Sequence, residues 1–375
     1  MRNLIVKMFK AILLMLLILI ISVVGFYLYL QSFYSKPTKI DDRGRLYYID
    51  YTGDYYSKFV TGPFGKLKPV INTGCSAFYT ANMDGGFDTA RNYDLAHLDK
   101  DGNTTGLNVI VKCTPKGKYR SIGIADFAMF SYLKLDYTEA SFDDKKFSDV
   151  LLALAPYICV DGINEKGVVC TIHVLDLKEG ETSVNQNDPG KDSVIITELL
   201  RLILDNCASV DEAVDLANNK NLINTFDADF HMFVTDANGK SAVLEWRYNK
   251  LEVTYTDIIT NFYVNSDDAE DCYIDGKFKE TYVPPVANKK GYRFGYGHGY
   301  ERFKTLMSGM ETFESDGKTV MDMNDMMNLL EDVSQEYTGE LTSLTQYSVI
   351  YHNSEPSMDI CVYPDYTKMY NFNPN

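Results

Sequence analysis

Residues 73–94 read TGCSAFYTANMDGGFDTARNYD, running from Thr73-Gly74-Cys75 to Arg91-Asn92-Tyr93-Asp94. Ser76 to Met83 mixes apolar and small residues as a buried strand does. Asp84-Gly85-Gly86 supplies a turn, and a second strand-like stretch runs into Arg91 and Asp94. DG and GG dipeptides between two such runs predict a β-hairpin. A hairpin returns its second strand beside its first, which brings Arg91 and Asp94 back toward Cys75. A thiol, a cation and a carboxylate gathered in this way are the ingredients of an activated nucleophile.

Outward from this hairpin the chain alternates between strands and helices. Leu107 to Cys113 and Arg120 to Ala125 predict two strands around the Pro115-Lys116-Gly117 turn, and Phe147 to Leu154 predicts a helix. Tyr157 to Val160 and Gly167 to Val174 predict a strand pair around the turn DGINEKG, residues 161–167. Ser193 to Asp205 carries Ile195, Leu199, Leu202 and Ile203 at helical spacing. Ser209 with Glu212 is a capping box that opens a second helix. Phe230 to Asp236 and Ser241 to Arg247 predict strands joined by the hairpin signal Asn238-Gly239, followed by LEVTY and IITNFYV. Helices are predicted around Tyr300 to Leu306 and Met321 to Val333, and the tail offers the strands QYSVIYH and MDICVYP. Strand runs alternating with helix runs predict an α+β fold with helices packed on antiparallel sheets. Asn265 to Gly299 is a long polar stretch of the kind that serves function or moves. Gln31 to Asn72 has no sustained period and reads as a linker followed by a short packed segment.

The formal net charge of −16 argues against nucleic acid as a partner, because an acidic surface repels phosphate. Ala11 to Leu30 is an uncharged run long enough to span a bilayer as a helix, with Arg2, Lys7 and Lys10 ahead of it. That pattern predicts a signal anchor with the N-terminus in the cytoplasm and everything after about residue 36 outside; a cleaved, secreted form is the alternative. The seven cysteines include no CxxC pair and the five histidines show no metal-ligand spacing, so no metal and no cofactor are expected. Cys159 and Cys170 sit in apolar runs and read as core thiols.

On these residues the chain resembles the choloylglycine hydrolase and penicillin V acylase family, with acid ceramidase-like and penicillin acyltransferase-like relatives. The family carries Arg and Asp 16 and 19 residues after its nucleophilic Cys, and Arg91 and Asp94 stand at those distances from Cys75. DGINEKGVV is similar to the family's characteristic turn, IITNFY to its Thr-Asn motif and GYERFKTL to the segment of its late arginine. The resemblance runs from Cys75 to the C-terminus. It implies an αββα sandwich of two antiparallel sheets, the N-terminal-nucleophile hydrolase arrangement, in which Cys75 is both nucleophile and free α-amine. It further implies that Arg91 favours the thiolate and that Asp94 orients the α-amine. Asn261, with the backbone N–H of Asn164, would form the oxyanion hole, and Arg302 would tune the local charge. The expected reaction is hydrolysis of a linear amide of a small molecule; acyl transfer and an inactive surface-binding homologue are the alternatives. Tetramers among the bile-acid relatives leave a homo-oligomer open. The implied division is an anchor over 1–35, a linker or pro-segment over 36–74 and a catalytic domain over 75–375. The expected cut between Gly74 and Cys75 leaves open whether the mature domain stays tethered or becomes soluble.

Overall fold

The computed structural model describes residues 15, 19–53, 73–98, 104–129, 151–175, 184–224, 229–264, 273–274, 277–278, 297–315, 320–336 and 344–375. In chain order the principal strands are β1 (Thr38–Lys39), β2 (Leu46–Tyr51), β3 (Thr73–Ala81), β4 (Phe87–Leu95), β5 (Asn108–Cys113), β6 (Ser121–Asp126), β7 (Cys159–Asn164) and β8 (Val169–Leu175). They continue with β9 (Asp229–Thr235), β10 (Ser241–Arg247), β11 (Lys250–Thr254), β12 (Ile258–Ile259), β13 (Thr345–His352), β14 (Ser357–Val362) and β15 (Met369–Phe372). The principal helices are α1 (Ile196–Asn206), α2 (Val210–Asn218), α3 (Gly297–Ser315) and α4 (Met323–Asp332).

The strands form a larger sheet, ordered β1-β2-β5-β6-β7-β8-β9-β10-β11, and a smaller one, ordered β12-β3-β4-β13-β14-β15. Helices α1 and α2 pack on the larger sheet, α3 and α4 on the smaller, and β3 meets β8 between them. The fold is therefore α+β, as expected. Within the larger sheet β2 and β5 run parallel, contrary to the expectation of wholly antiparallel sheets. A parallel pair needs a long crossover, and here the chain travels through β3 and β4 in the other sheet before it returns as β5.

The β3–β4 hairpin closes through Gly85, whose φ of +80° is easily reached without a Cβ. Ser209 caps α2 by accepting from the Glu212 amide. The helix predicted from Ser193 begins at Ile196, because Asp192–Val194 is extended and pairs in parallel with Lys220–Leu222. Pro156 lies in a 3₁₀ turn, Ala155–Ile158, which delays β7 to Cys159.

The stretch 36–74 is not simply a linker. Leu46, Tyr47, Ile49 and Tyr51 of β2 are buried in the main core beside Val109, Val111 and Cys113 of β5. Arg43 reaches across to the carbonyls of Val362 and Tyr363 at 2.8 and 3.1 Å. Among the described residues no helix is long and apolar enough to cross a membrane. The Ala11 to Leu30 run lies partly outside those residues; 19–31 are helical, and Leu19, Ile20, Ile21, Phe26 and Leu28 are exposed. Most of Asn265 to Gly299 lies outside the described residues, as does the first half of the helix predicted over Phe147 to Leu154; of its second half, Leu151 and Leu152 are helical.

Candidate active site

Cys75 is the third residue of β3 and is 1% exposed. The hairpin register sets Gly74 opposite Asp94, Cys75 opposite Tyr93 and Ala77 opposite Arg91. Each polar group of Cys75 meets a buried side chain from a different element. Its amide nitrogen donates to Asn261 Oδ1 at 2.8 Å, its thiol lies 3.7 Å from an Arg91 Nη, and its carbonyl accepts from Arg302 at 2.7 Å.

Asn261 follows β12 by two residues. Its neighbour Thr260 is fixed there, the hydroxyl donating to the Gly299 carbonyl and the Thr260 carbonyl bonding the His231 ring. Arg302, on α3, donates to Asn261 Oδ1 at 2.5 Å and stands 3.6 Å from Asp94 Oδ2. Two donors at Oδ1 fix the orientation of the amide, so Nδ2 points to the Val174 carbonyl at 2.7 Å. An amide nitrogen has two hydrogens; the second is left for another acceptor.

Arg91 does not pair with Asp94. Residues three apart on a strand face opposite sides, and the Arg91 guanidinium instead spans the gap between the sheets. It binds Asp161 of β7 at 2.8 Å and donates to the carbonyls of Val160 and Ile172 at 2.9 and 2.7 Å. Asp94 receives the Thr345 hydroxyl on Oδ1 at 2.7 Å, while its buried Oδ2 accepts no hydrogen bond among the described residues. Burial pushes the Asp94 carboxyl up to about 7, against the pull of Arg302, Thr345 and Arg91. Burial also raises the Cys75 thiol; Arg91 opposes that shift and Asp94 adds to it.

Asn164 stands apart from this cluster. It closes the turn after β7: Oδ1 accepts from the Lys166 and Val168 amides and Nδ2 donates to the carbonyls of Leu204 and Cys207. Its own N–H is spent on the Val168 carbonyl at 3.0 Å. The expectation that this N–H serves an oxyanion hole is thereby corrected, since the donor is already used inside a tight turn. The residue of that hairpin brought to Asn261 is Val174, which contributes only backbone, and no side-chain motif could have marked it. Asp161, Tyr347 and Tyr351 also escaped the sequence reading. The available signal was a carboxylate inside the apolar run YICVDGI.

Residues 89–363 match the family model described as acyl-coenzyme A:6-aminopenicillanic acid acyl-transferase. The chain belongs to this acyl-transferase family. No sequence among the curated proteins matches it. Among solved structures, two variants of the conjugated bile acid hydrolase from Clostridium perfringens share the fold. They superpose with TM-scores of 0.51 and 0.52, at 18% and 16% identity, each covering 80% of this chain and 92% of the hydrolase. Penicillin V acylase from Agrobacterium tumefaciens matches with a TM-score of 0.48 at 14% identity, over 80% of this chain and 86% of its own. As a member of the acyl-transferase family the chain holds Arg91, Asp94, Asn261 and Arg302 inside the matched region, with Cys75 ahead of it.

A pocket opens at the thiol. Its lining includes Tyr93, Met129, Val160, Ile172, Val174, Ile196 and Phe230, and no charged side chain among the described residues. Among the described residues no cluster of His, Cys, Asp or Glu could hold a metal ion.

Proposed function

We propose that the chain is a cysteine amidase that cleaves a linear, non-peptide amide after cutting itself between Gly74 and Cys75. One observation carries this reading: nitrogen, sulfur and carbonyl of Cys75 are each engaged by a different buried side chain, Asn261, Arg91 and Arg302. An ordinary core thiol needs none of them.

Self-cleavage begins with the Cys75 thiol adding to the Gly74 carbonyl, Gly74 having no side chain of its own to hinder the attack. The C–N bond breaks, the nitrogen takes a proton, and a thioester joins Gly74 to the Cys75 sulfur. Water hydrolyses the thioester, leaving a Gly74 carboxylate, a free thiol and a free α-amine. Such an amine has a pKa of about 8 and a thiol about 8.5, so one residue supplies a nucleophile and a matched base. Asp94 would hold the new amine; its position opposite Gly74, with one oxygen that accepts no hydrogen bond among the described residues, supports that role.

In turnover the α-amine takes the thiol proton as sulfur attacks the substrate carbonyl. It returns that proton to the leaving amine, and water then hydrolyses the acyl-enzyme. The remaining Nδ2 hydrogen of Asn261 stabilises the oxyanion; loss of such a donor costs about 10²–10³ in kcat. The uncharged pocket wall favours an apolar acyl group, as in an N-acyl amino acid, a bile-salt-like amide or a penicillin V-like amide. Acyl transfer is the second reading, favoured by the description of the matched family; there an amine, rather than water, intercepts the acyl-enzyme. The N-terminal apolar run and the basic residues before it support a catalytic domain held outside the cytoplasmic membrane.

Intact-mass analysis of the purified chain, incubated with a panel of amides with and without added amine, tests this directly. The expected products are a chain beginning at Cys75 and a free acid from the amide. Cys75→Ala stays full length and inactive, and Asn261→Ala is processed but turns over poorly. Amidase activity from a chain whose Gly74–Cys75 bond is intact would overturn the mechanism.

A further inference from the structure

We infer that Asp161, braced by Tyr347 and Tyr351, is a positioning group for Cys75 that acts through Arg91 from the opposite sheet. The kinetic consequence rests on the amidase reading; the geometry and the thiol chemistry do not.

Arg91 is wholly buried, and so is Asp161. A cation at that depth requires an opposite charge and full hydrogen bonding. Asp161 supplies the charge, and its two oxygens are then saturated from a third strand. Tyr347 donates to Oδ2 at 2.7 Å and Tyr351 to Oδ1 at 2.8 Å. Residues four apart on β13 face the same way, so both hydroxyls converge on one carboxylate. Tyr93, whose ring stacks on Tyr347 at 5.2 Å, lies beneath the guanidinium at 5.3 Å. Carboxylate, two backbone carbonyls and a ring face thus fix Arg91 on several sides. The Nη that donates to Ile172 also lies 3.7 Å from the Cys75 sulfur, while Nε has no hydrogen-bond partner among the described residues.

Two tyrosine hydroxyls are what any buried carboxylate requires; a pair that only stabilised the fold would not need a guanidinium edge turned to a thiol. The arrangement has two effects on sulfur. It fixes where the cation sits, and it offsets that cation with a nearby negative charge, so the thiol meets a dipole rather than a bare positive group. Exchanging the carboxylate for an amide separates these effects, because Asn keeps an oxygen to accept from Arg91 and loses the charge.

The test uses the protein expressed from residue 1 and purified in the form in which it accumulates, with parent and variants compared at the same state of processing. The rate of iodoacetamide capping at Cys75, followed across pH by peptide mass spectrometry, gives the thiol's titration midpoint. In Asp161→Asn the midpoint is expected to fall by about one pH unit, while kcat falls about tenfold or more at little-changed KM. Tyr351→Phe keeps both charges and loosens the clamp; kcat is expected to fall about fivefold with the midpoint unmoved. A midpoint in Asp161→Asn that stays put or rises overturns the inference, and so does Tyr351→Phe at the parental kcat. If Asp161→Asn does not fold, Tyr351→Phe decides. A parent chain that hydrolyses no amide, yet shows the shift in Asp161→Asn, leaves the positioning role standing and removes the amidase reading.

Discussion

Two interfaces in this molecule differ in the polar contacts they carry. Where the sheets face each other, a set of buried polar contacts crosses the gap inside an apolar core that joins Tyr93, Val349 and Ile360 of the smaller sheet to the larger one. Arg91 binds Asp161, the Thr89 hydroxyl meets that of Thr235 at 2.6 Å, and Asn353 donates to the Gly167 carbonyl at 2.9 Å. Where α4 lies on the smaller sheet, Met326, Met327, Leu329 and Leu330 pack against Phe78, Ala90 and Ile350. The aliphatic layer is non-directional and tolerates a change of shape that keeps volume. The polar layer works in only one arrangement, because each member satisfies another and an orphan is costly at low dielectric. The site sits in the layer that cannot slide.

The strongest way to break this contrast is Asp161→Ala. It leaves the Arg91 charge buried without a partner, and urea unfolding is expected to show a loss of about 3–5 kcal/mol. A loss below about 1 kcal/mol would mean that the polar layer holds no more than ordinary contacts do.

A largely buried polar cluster around His352 sharpens the comparison through pH. His352 bonds Asp88 at 3.1 Å and Asp359 at 2.8 Å. Burial pulls its pKa down, but the two carboxylates outweigh that and raise it to about 9. A histidine raised in the folded state stabilises fully below its ordinary pKa of about 6.5 and loses that contribution as pH climbs through about 9. The expected decline is about 3 kcal/mol at most. It should vanish in His352→Gln, and a parental decline of the same size in that variant would assign it elsewhere.

Smaller effects follow. Tyr351→Phe removes one hydroxyl from Asp161 and should lower stability by about 1–2 kcal/mol, read from the same unfolding curves. Leu330→Met in the aliphatic layer should cost about 1 kcal/mol or less. If Leu330→Met proved the more damaging of the two, the contrast between the layers would be wrong.

The same contrast explains what was legible in the sequence. Cys75, Arg91 and Asp94 share one hairpin, so local spacing places them together. Asn261 and Arg302 are far away in sequence; Asn261 stood out as a polar residue at a strand end, but only resemblance to a family joined either of them to Cys75. Asn164 was misassigned because an Asn in a turn looks alike whether its amide is offered to a substrate or spent on Val168. Asp161 was read as the first residue of that turn, when it is a buried strand residue whose partners lie 186 and 190 positions away. Long-range polar pairing of this kind leaves no periodic trace. In β2, LYYIDY has the aromatic and β-branched content of a strand, but without alternation it passed for linker.

The placement of β2 bears on how this protein would carry load. Its six residues run in register from Leu46 against Asn108 to Tyr51 against Cys113, with β1 on the other side. Tyr48 stacks on Phe372 at 5.6 Å, and Arg43 grips two carbonyls near the chain's end. If the chain is cut between Gly74 and Cys75, the pairing of β2 with β5 would still join the two pieces. For a chain moored by its N-terminus, tension would pass through a non-covalent seam, and the pieces would part only when a whole strand was stripped from its sheet.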